Sequence, residues 1–549
     1  MLYMKAHTAM RSTILEKSTF GLIIAVAAVV RFAGFPSYSP CFWDEAKYIS
    51  EVENSFQFFS ANAGAFAFLK LAYGLIGLPS YAQIIAGIFG VLAVAGCYFI
   101  GIQVFPGQRR GIVLGLLMAG LAAPMPYFVR YSHHAFPEVF ALCFFIWAMV
   151  FYLTRLGMTS STAVRPRRQS WRNVLASVAL LAAVPACSFK FLLPTFILFL
   201  ILEFYLWHLH RHDLPKYKSV QFSVVTLIAG TLFFFVIPFI LAVIAGYDGW
   251  FDRARLLSEA HSSIGTMRPA VHFLFPIHIY YFCGIVFLAC AFGGIWVLFA
   301  APPRRGETLI PPAAATVLFL PFAIYLSFFG FLSHLQAARI YVLTVPFLIF
   351  AAAAFLLWLR DVHYRIGLVA MGGTLLLTLL SLGYSCRECL NKTTGTKEAC
   401  DIIAQHIQPD QIIYASMMAQ VFYNVFRSPF YKLASLHVEP PSSLARIQGK
   451  PDFPPIIIVQ DGADVDYWLA DRDKYDGTEN AAEIYSMIRN FRLLASTGER
   501  IYAGEEHFTA SPYYFLENIY SWQSYHDLQT LLANSRDSIF IYQLQPSGQ

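Results

Sequence analysis

The strongest constraint on the fold is a series of apolar runs, each close to the length that crosses a bilayer, through residues 1–385. A transmembrane helix needs about 20 mostly apolar residues. The chain is also only 13% charged, about half of the roughly 25% that is usual in soluble domains. The runs predict about 11 transmembrane helices, at 18–34, 80–101, 111–128, 135–154, 173–189, 191–208, 219–245, 277–300, 311–331, 340–359 and 366–384. A shorter stretch, 66–78, predicts an amphipathic helix in the membrane interface.

The basic residues between these runs predict the orientation. Loops that contain "FPGQRR", "RLGMTSSTAVRPRRQSWR", "HLHRHDLPKYKS", "PPRRGE" and "RDVHYR" alternate with loops poorer in Lys and Arg. Because cytoplasmic loops are enriched in Lys and Arg, the N-terminus is predicted to be cytoplasmic. The first run lacks a small-residue cleavage site and is interpreted as a retained signal anchor. An odd number of spans then places the C-terminal part of the chain outside the cytoplasm.

The chain changes character after residue 385. Alternating helix-like and strand-like segments follow, the strands at "QIIYAS", "FYKLAS", "PPIIIVQ", "FRLLAST" and "SIFIYQLQ". This pattern predicts a soluble, extracytoplasmic α/β domain with a mixed sheet at 386–549, following a membrane domain at 1–385. No glycine-rich phosphate loop is found there, so nucleotide binding is not indicated.

The cysteines are compatible with either a disulfide or a metal site, and the charge distribution does not indicate a nucleic-acid-binding protein. Cys386, Cys389 and Cys400 are predicted to lie outside the cytoplasm, where a structural disulfide involving Cys400 competes with a metal half-site at the CxxC pair. The net charge of +6 resides largely in short loops. Without a basic patch interleaved with aromatics, it does not indicate nucleic-acid binding.

An acidic segment follows the first apolar run, "FPSYSPCFWDEAKYISEVENSF" at 35–56, within the predicted extracytoplasmic loop 35–79. Other ionisable residues also gather at the predicted extracytoplasmic ends of the spans. An ionisable group at membrane depth costs about 2.5–3.5 kcal/mol, so such a set requires a reason. The mixture of signs predicts a polar cavity for an anionic ligand together with an acid–base group. The set includes Arg31, Asp44, Glu45, Lys47, Arg130, His133, Glu138, Lys190, His261, Arg268 and Arg339.

Most of these residues also have a simpler explanation, although Glu138, in the first turn of a span just after Pro137, is harder to explain in that way. Asp44 and Glu45 fit the first turn of a helix, where carboxylates cap free N–H groups. Arg31 and Lys190 can extend toward water from the ends of spans. Lys47 can form a surface pair with Glu51, and His133 can lie in the membrane interface. His261 and Arg268 can belong to a solvated loop, and Tyr341 can belong to an aromatic belt.

Four segments in order resemble glycosyltransferases of the GT-C type that use polyprenyl-phosphate sugars. They are "RFAGFPSYSPCFWDEAKYISE", "PYFVRYSHHAFPEVFALCFFIWAMVFYLTR", "PACSFKFLLPTF" and "ARIYVLTVPFLIFAAAAF". The nearest families are the protein O-mannosyltransferases and the lipid A aminoarabinose transferases, and the resemblance covers residues 18–385. Two features depart from the pattern. The chain has "ANAGAFAFLK" where relatives carry a basic residue and two prolines, and Gln83 where they carry an arginine.

The resemblance implies a GT-C-like membrane fold and inverting transfer of a sugar from a polyprenyl-phosphate donor to an extracytoplasmic lipid, glycan or protein acceptor. Asp44 is the expected general base, and Glu45 is expected to orient the acceptor or the loop. The expected donor-phosphate ligands are Lys47, Arg268, Arg339 and Tyr341. The expected substrate-binding residues are Tyr48, Arg130, His133, Glu138, Lys190 and His261. No cofactor is required, although the donor atoms leave room for a divalent metal, and the expected location is a bacterial inner membrane.

Two other classes of protein compete with this interpretation. A transporter or flippase of a lipid-linked or anionic solute would also need charges within the membrane, but no internal repeat and no matched pair of broken spans is found. A structural membrane scaffold would leave the polar residues unexplained.

Overall fold

The computed structural model describes residues 2–32, 48–49, 52, 62–78, 80–133, 135–156, 171–210, 216–245, 284–300, 310–329, 338–391 and 405, together with short strands beyond residue 411. The helices within these residues are α1 (Leu2–Phe32), α2 (Ala63–Ile76), α3 (Tyr81–Val104), α4 (Arg109–Ala122), α5 (Pro126–His133), α6 (Pro137–Leu156), α7 (Trp171–Cys187), α8 (Leu192–His210), α9 (Lys216–Ala245), α10 (Ile285–Phe299), α11 (Pro312–Ser327), α12 (Val345–Val362) and α13 (Tyr364–Asn391). Two 3-10 helices, η1 (Phe189–Phe191) and η2 (Ala338–Thr344), precede α8 and α12.

Every predicted span overlaps a helix, because each apolar run satisfies its backbone hydrogen bonds internally. Within the described residues, 6 helical segments are long and apolar enough to cross a membrane: Tyr81–Val104, Pro137–Leu156, Phe189–Leu209, Val224–Leu241, Ile340–Val362 and Tyr364–Leu382. Shorter apolar helices are Ala63–Ile76, Trp171–Cys187, Ile285–Phe299 and Pro312–Ser327. The chain is therefore an integral membrane protein, while the number of about 11 spans stays a prediction.

One predicted span is wrong in detail. The span at 111–128 is interrupted, because α4 ends at Ala122 and α5 begins at Pro126. The next N–H that would continue α4 is missing at Pro124, and the Ala122 carbonyl accepts the N–H of Met125 at 3.3 Å. The predicted span at 340–359 coincides with the apolar segment Ile340–Val362, although its first residues, in η2, form the tighter 3-10 helix and the α-helix begins at Val345.

The core of the helical unit is built around α12. Every residue from Val345 to Ala354 in this helix is buried. Helix α10 packs closely against it at Gly294, where an added Cβ would overlap the carbonyl oxygen of Ala351. Small residues at such a crossing let two helix backbones approach, which is how apolar helices gain contact energy in a lipid environment.

Helix α2 forms where the short apolar stretch predicts a helix. Its Phe68 ring lies between helices α3 and α6, with centroids 5.0 Å from Phe89 and 5.9 Å from Phe140. Leu71 and Leu75, on the other side of α2, are exposed. One face of α2 therefore packs on the helical unit and the other is apolar and uncovered, and its predicted place in the membrane interface stays a prediction.

The described strands after residue 411 form two small sheets. Strands β1 (Ile412–Ala415), β2 (His437–Glu439), β3 (Ile457–Asp461), β4 (Arg492–Ser496) and β7 (Ile539–Gln543) form a mixed sheet in the order β2-β1-β3-β7-β4. The β1 pairings are parallel, whereas β7 is antiparallel to both β3 and β4. Strands β5 (Arg500–Ile501) and β6 (Arg536–Asp537) pair separately. Four predicted strands coincide with β1, β3, β4 and β7, and "FYKLAS" lies outside the described residues.

The chain divides into two compact units. The first contains α1, α2 as far as Ala72, and residues 82–390, and the second contains Tyr48, Ile49, Val52, residues 73–81 and the strands. Apart from Gln405, the predicted helices after residue 391 lie outside the described residues, so the α/β class of the second unit and the boundary at 385/386 stay predictions.

Candidate active site

The candidate site contains a buried ion pair between two helix starts. Glu138 lies in the first turn of α6, and the ammonium of Lys190 in η1 pairs with its Oε1 atom. The Glu138 side chain is 3% exposed and that of Lys190 15% exposed, so Lys190 does not reach toward water as the simpler explanation required. The positive end of the α6 dipole also favours a carboxylate at this position.

Local structure explains why Lys190 lies there. Helix α7 ends at Cys187 and Ser188 is extended, so the apolar run from α7 into α8 is broken by one short 3-10 turn. The turn closes when the N–H of Phe191 donates to the Ser188 carbonyl at 3.0 Å. The Lys190 ammonium lies 5.7 Å from the centroid of the Phe191 ring, within the range of a cation–π contact.

Tyr341, a predicted phosphate ligand, is linked to this turn through aromatic rings. Phe191 contacts Phe329 with a centroid distance of 5.7 Å, and Phe329 contacts Tyr341 at 6.3 Å. Tyr341 is buried in η2, where its carbonyl accepts a hydrogen bond from the Thr344 hydroxyl at 2.6 Å. Helix η2 also contacts α6, the helix that begins with the Glu138 turn.

Helix α5 carries two further predicted residues, Arg130 and His133, and contacts both α6 and η2. Arg339 belongs to η2. The structure therefore brings together the elements that carry Arg130, His133, Glu138, Lys190, Arg339 and Tyr341. For Arg130, His133 and Arg339 only the backbone is described.

Of the remaining predicted site residues, the structure describes Tyr48 alone. Tyr48 is described and buried. Asp44, Glu45, Lys47, His261 and Arg268 lie outside the described residues, so their predicted roles stay predictions. Among the described residues, no group of three or more His, Cys, Asp and Glu side chains is arranged to hold a metal ion.

Arg31 is buried near the break between α4 and α5. Its guanidinium donates to the carbonyls of Ala27 at 3.1 Å and Ala123 at 3.0 Å. Ala123 lies in the interruption that follows α4, so the arginine ties the end of α1 to that interruption. The simpler explanation, in which Arg31 extends toward water, does not fit these contacts.

The sequence interpretation missed a second buried ion pair, between Arg155 at the end of α6 and Glu203 in α8. The two Nη atoms of Arg155 donate to the two carboxylate oxygens at 2.7 and 2.8 Å. Ser177 and Tyr152 complete the cluster, the serine accepting from Arg155 at 3.0 Å and the tyrosine donating to Glu203 at 3.0 Å. Arg155 was assigned to a loop, but it is fully buried. Glu203, an acid inside a predicted span, was the signal that a buried partner was needed.

Comparison with known proteins identifies the fold. No protein-family model matches the chain, and no curated protein matches it by sequence. One solved structure that the chain resembles is ArnT from Cupriavidus metallidurans bound to undecaprenyl phosphate. The two chains are 15% identical, with a TM-score of 0.53, and the match covers 86% of this chain and 95% of ArnT. The apo form of the same ArnT gives 14% identity, a TM-score of 0.51 and the same coverage. AglB, an oligosaccharyltransferase from Archaeoglobus fulgidus solved with an inhibitory peptide and a dolichol phosphate, gives 11% identity and a TM-score of 0.49 over 81% of this chain and 69% of that one.

The chain is a polytopic α-helical membrane protein. Its fold is the GT-C-type fold of ArnT, which confirms the sequence resemblance at the level of the fold.

Proposed function

We propose that this protein is an integral-membrane glycosyltransferase, which moves a sugar from a polyprenyl-phosphate donor to an extracytoplasmic acceptor with inversion at the sugar carbon. The observation that carries the proposal is the likeness in fold to an ArnT that was solved with undecaprenyl phosphate, over 86% of this chain. The convergence of Glu138, Lys190 and Tyr341 in the same membrane unit gives additional support.

The reaction requires one base and several fixed donors. In the proposed mechanism the Asp44 carboxylate takes the proton of the acceptor hydroxyl or amine, and the freed electron pair attacks the anomeric carbon of the sugar. The bond from that carbon to the phosphate oxygen breaks, and polyprenyl phosphate leaves with the bonding electrons. Glu45 orients the acceptor or the loop. A phosphate is already a good leaving group, so the step does not require a general acid.

The cations and the buried pair have separate parts in this mechanism. Lys47, Arg268, Arg339 and Tyr341 hold the donor phosphate, because charge that develops on a leaving group is best stabilised by preorganised donors. Lys190 contacts substrate, and Glu138 holds the ammonium in place. The remaining proposed substrate contacts are those of Tyr48, Arg130, His133 and His261.

The decisive variant is Asp44→Asn, which keeps the shape of the side chain and removes the base. Purified protein in proteoliposomes is given polyprenyl phosphates that carry different radiolabelled sugars, with lipid, glycan and peptide acceptors. We expect Asp44→Asn to lower the initial rate by about 100-fold or more, since a positioned general base contributes about 10²–10⁴-fold.

The matched control is Asp361→Asn, the same substitution at an acid outside the candidate site. Asp361 pairs with Arg110 at 2.7 Å, and its side chain is 33% exposed. We expect its transfer rate to equal that of the wild type. A wild-type rate in Asp44→Asn would refute the assignment of the base. A wild type that transfers none of the sugars but moves a lipid-linked solute across the bilayer would refute the enzyme and support a transporter.

A further inference from the structure

A side chain–backbone hydrogen bond joins the start of α2 to the turn that carries Lys190. The Oδ1 atom of Asn62 accepts the backbone N–H of Phe189 at 3.0 Å, across 127 residues of sequence. Asn62 is the residue directly before α2, and Phe189 is the first residue of η1.

The Phe189 N–H has a structural need for this acceptor. The first N–H groups of a helical turn lack partners within the turn, and Ser188 before it is extended and offers no side-chain cap. A buried N–H without a partner costs about 1–3 kcal/mol. Asn62 satisfies this donor from outside the α7–η1 segment.

Close packing surrounds the hydrogen bond and fixes its geometry. At Gly64 in the first turn of α2, an added Cβ would lie 3.0 Å from the carbonyl carbon and oxygen of Ala186 and 3.1 Å from the Cys187 nitrogen. Ala63, fully buried, packs against the Phe189 side chain. The start of α2 and the end of α7 are therefore in backbone contact, with little room for the turn to shift.

The η1 turn thus has two anchors on successive residues. Asn62 holds the backbone at Phe189, and Glu138 of α6 holds the side chain of Lys190. We propose that Asn62 is a positioning residue, which fixes the η1 turn so that Lys190 meets the substrate in a constant geometry. This inference rests on the proposed function, because it gives the Lys190 turn a part in transfer.

The first test measures the hydrogen bond without any enzyme assay. Asn62→Leu removes the acceptor at similar volume, Asn62→Asp retains an acceptor oxygen, and Asn173→Leu makes the same change near the opposite end of α7. Hydrogen–deuterium exchange of the peptide that contains Phe189 is compared in the full-length protein. We expect Asn62→Leu to exchange about fivefold to tenfold faster, as the loss of a typical net hydrogen-bond contribution implies. Asn62→Asp and Asn173→Leu are expected to match the wild type.

The second test asks whether Asn62 acts through Lys190. Transfer rates are measured for Asn62→Leu, Lys190→Met and the double variant. If Asn62 only positions Lys190, its substitution lowers kcat in the wild-type background and has little further effect beside Lys190→Met, since coupled residues are not additive. Asn62→Asp should restore most of the rate.

The outcomes separate this inference from the proposed function. Unchanged exchange at Phe189 in Asn62→Leu, or equal losses of rate with and without Lys190, would refute the positioning role while the enzyme remains active. Faster exchange in a protein whose wild type transfers no sugar would refute the proposed function, and with it the contribution of this turn to catalysis.

Discussion

Substituting one partner of the Arg155–Glu203 pair should destabilise the protein more than substituting any exposed charged residue. The pair is bidentate at 2.7 and 2.8 Å, and the Arg155 and Glu203 side chains are 1% and 7% exposed. Breaking such a pair leaves a buried charge and costs about 3–5 kcal/mol. Insertion scales for a lone charge at membrane depth give a similar cost of about 2.5–3.5 kcal/mol. We therefore expect about 3 kcal/mol of lost stability for Arg155→Met or for Glu203→Leu.

The assay uses the buried thiols of the helical unit. Cys97, Cys143, Cys187 and Cys290 are free and buried, so a thiol-reactive dye reports on their exposure as detergent-solubilised protein unfolds. Accessible thiols of the folded protein are blocked beforehand. The free energy of unfolding is taken from reversible denaturation in mixed micelles.

The double variant Arg155→Met with Glu203→Leu separates the free-energy cost of an unpaired buried charge from the net stabilisation that the ion pair provides. Replacing both partners of a buried pair with apolar residues is often nearly neutral. We expect the double variant to be more stable than either single variant. Arg110→Met at the exposed Arg110–Asp361 pair should cost less than about 1 kcal/mol. Single variants within 1 kcal/mol of the wild type, or a double variant as unstable as the sum of the two losses, would refute this reasoning.

Three further changes test the remaining contacts. Lys190→Met should lower sugar transfer at least tenfold and destabilise the protein by about 2.5–3.5 kcal/mol, because Glu138 is left charged and buried. The double variant Glu138→Gln with Lys190→Met should recover stability but not transfer. A recovered transfer rate in the double variant would contradict a role for Lys190 in substrate binding. Gly294→Val should destabilise by about 1–3 kcal/mol through the clash with Ala351, measured by the same unfolding assay; an unchanged free energy would show that α10 and α12 are not in backbone contact. Arg31→Met should cost about 1–3 kcal/mol, because the carbonyl at the break after α4 loses its donor; a wild-type stability would exclude that contact.

The length and hydropathy of the apolar runs were enough to locate the helices of the membrane unit. The cost of an unpaired backbone in lipid leaves a long apolar run no alternative to helix, so the positions of α3, α6 and α8 followed from composition alone. The break at 123–125 was missed because a hydropathy window averages over residues. The missing N–H of Pro124, which ends α4, is a property of one residue.

The partners of the polar residues could not be predicted in the same way. Arg155 and Glu203 are 48 residues apart, and only packing of α6 against α8 brings them together. Asn62 and Phe189 are farther apart still, and nothing in either local sequence marks a hydrogen bond between them. Glu138 and Lys190 were both predicted as site residues, but their direct pairing was not. Such pairs form only when the tertiary packing brings their helices together, and a single sequence carries little information about that packing.

The central claim is that the bond between the sugar and the polyprenyl phosphate breaks. The most direct measurement gives the wild type in proteoliposomes a donor with one label on the sugar and a second label on the phosphate. The account predicts that the sugar label appears in the acceptor while the phosphate label remains on the polyprenyl lipid, in equal amounts. If the two labels always remain together, and the intact donor only crosses the bilayer, the account is contradicted.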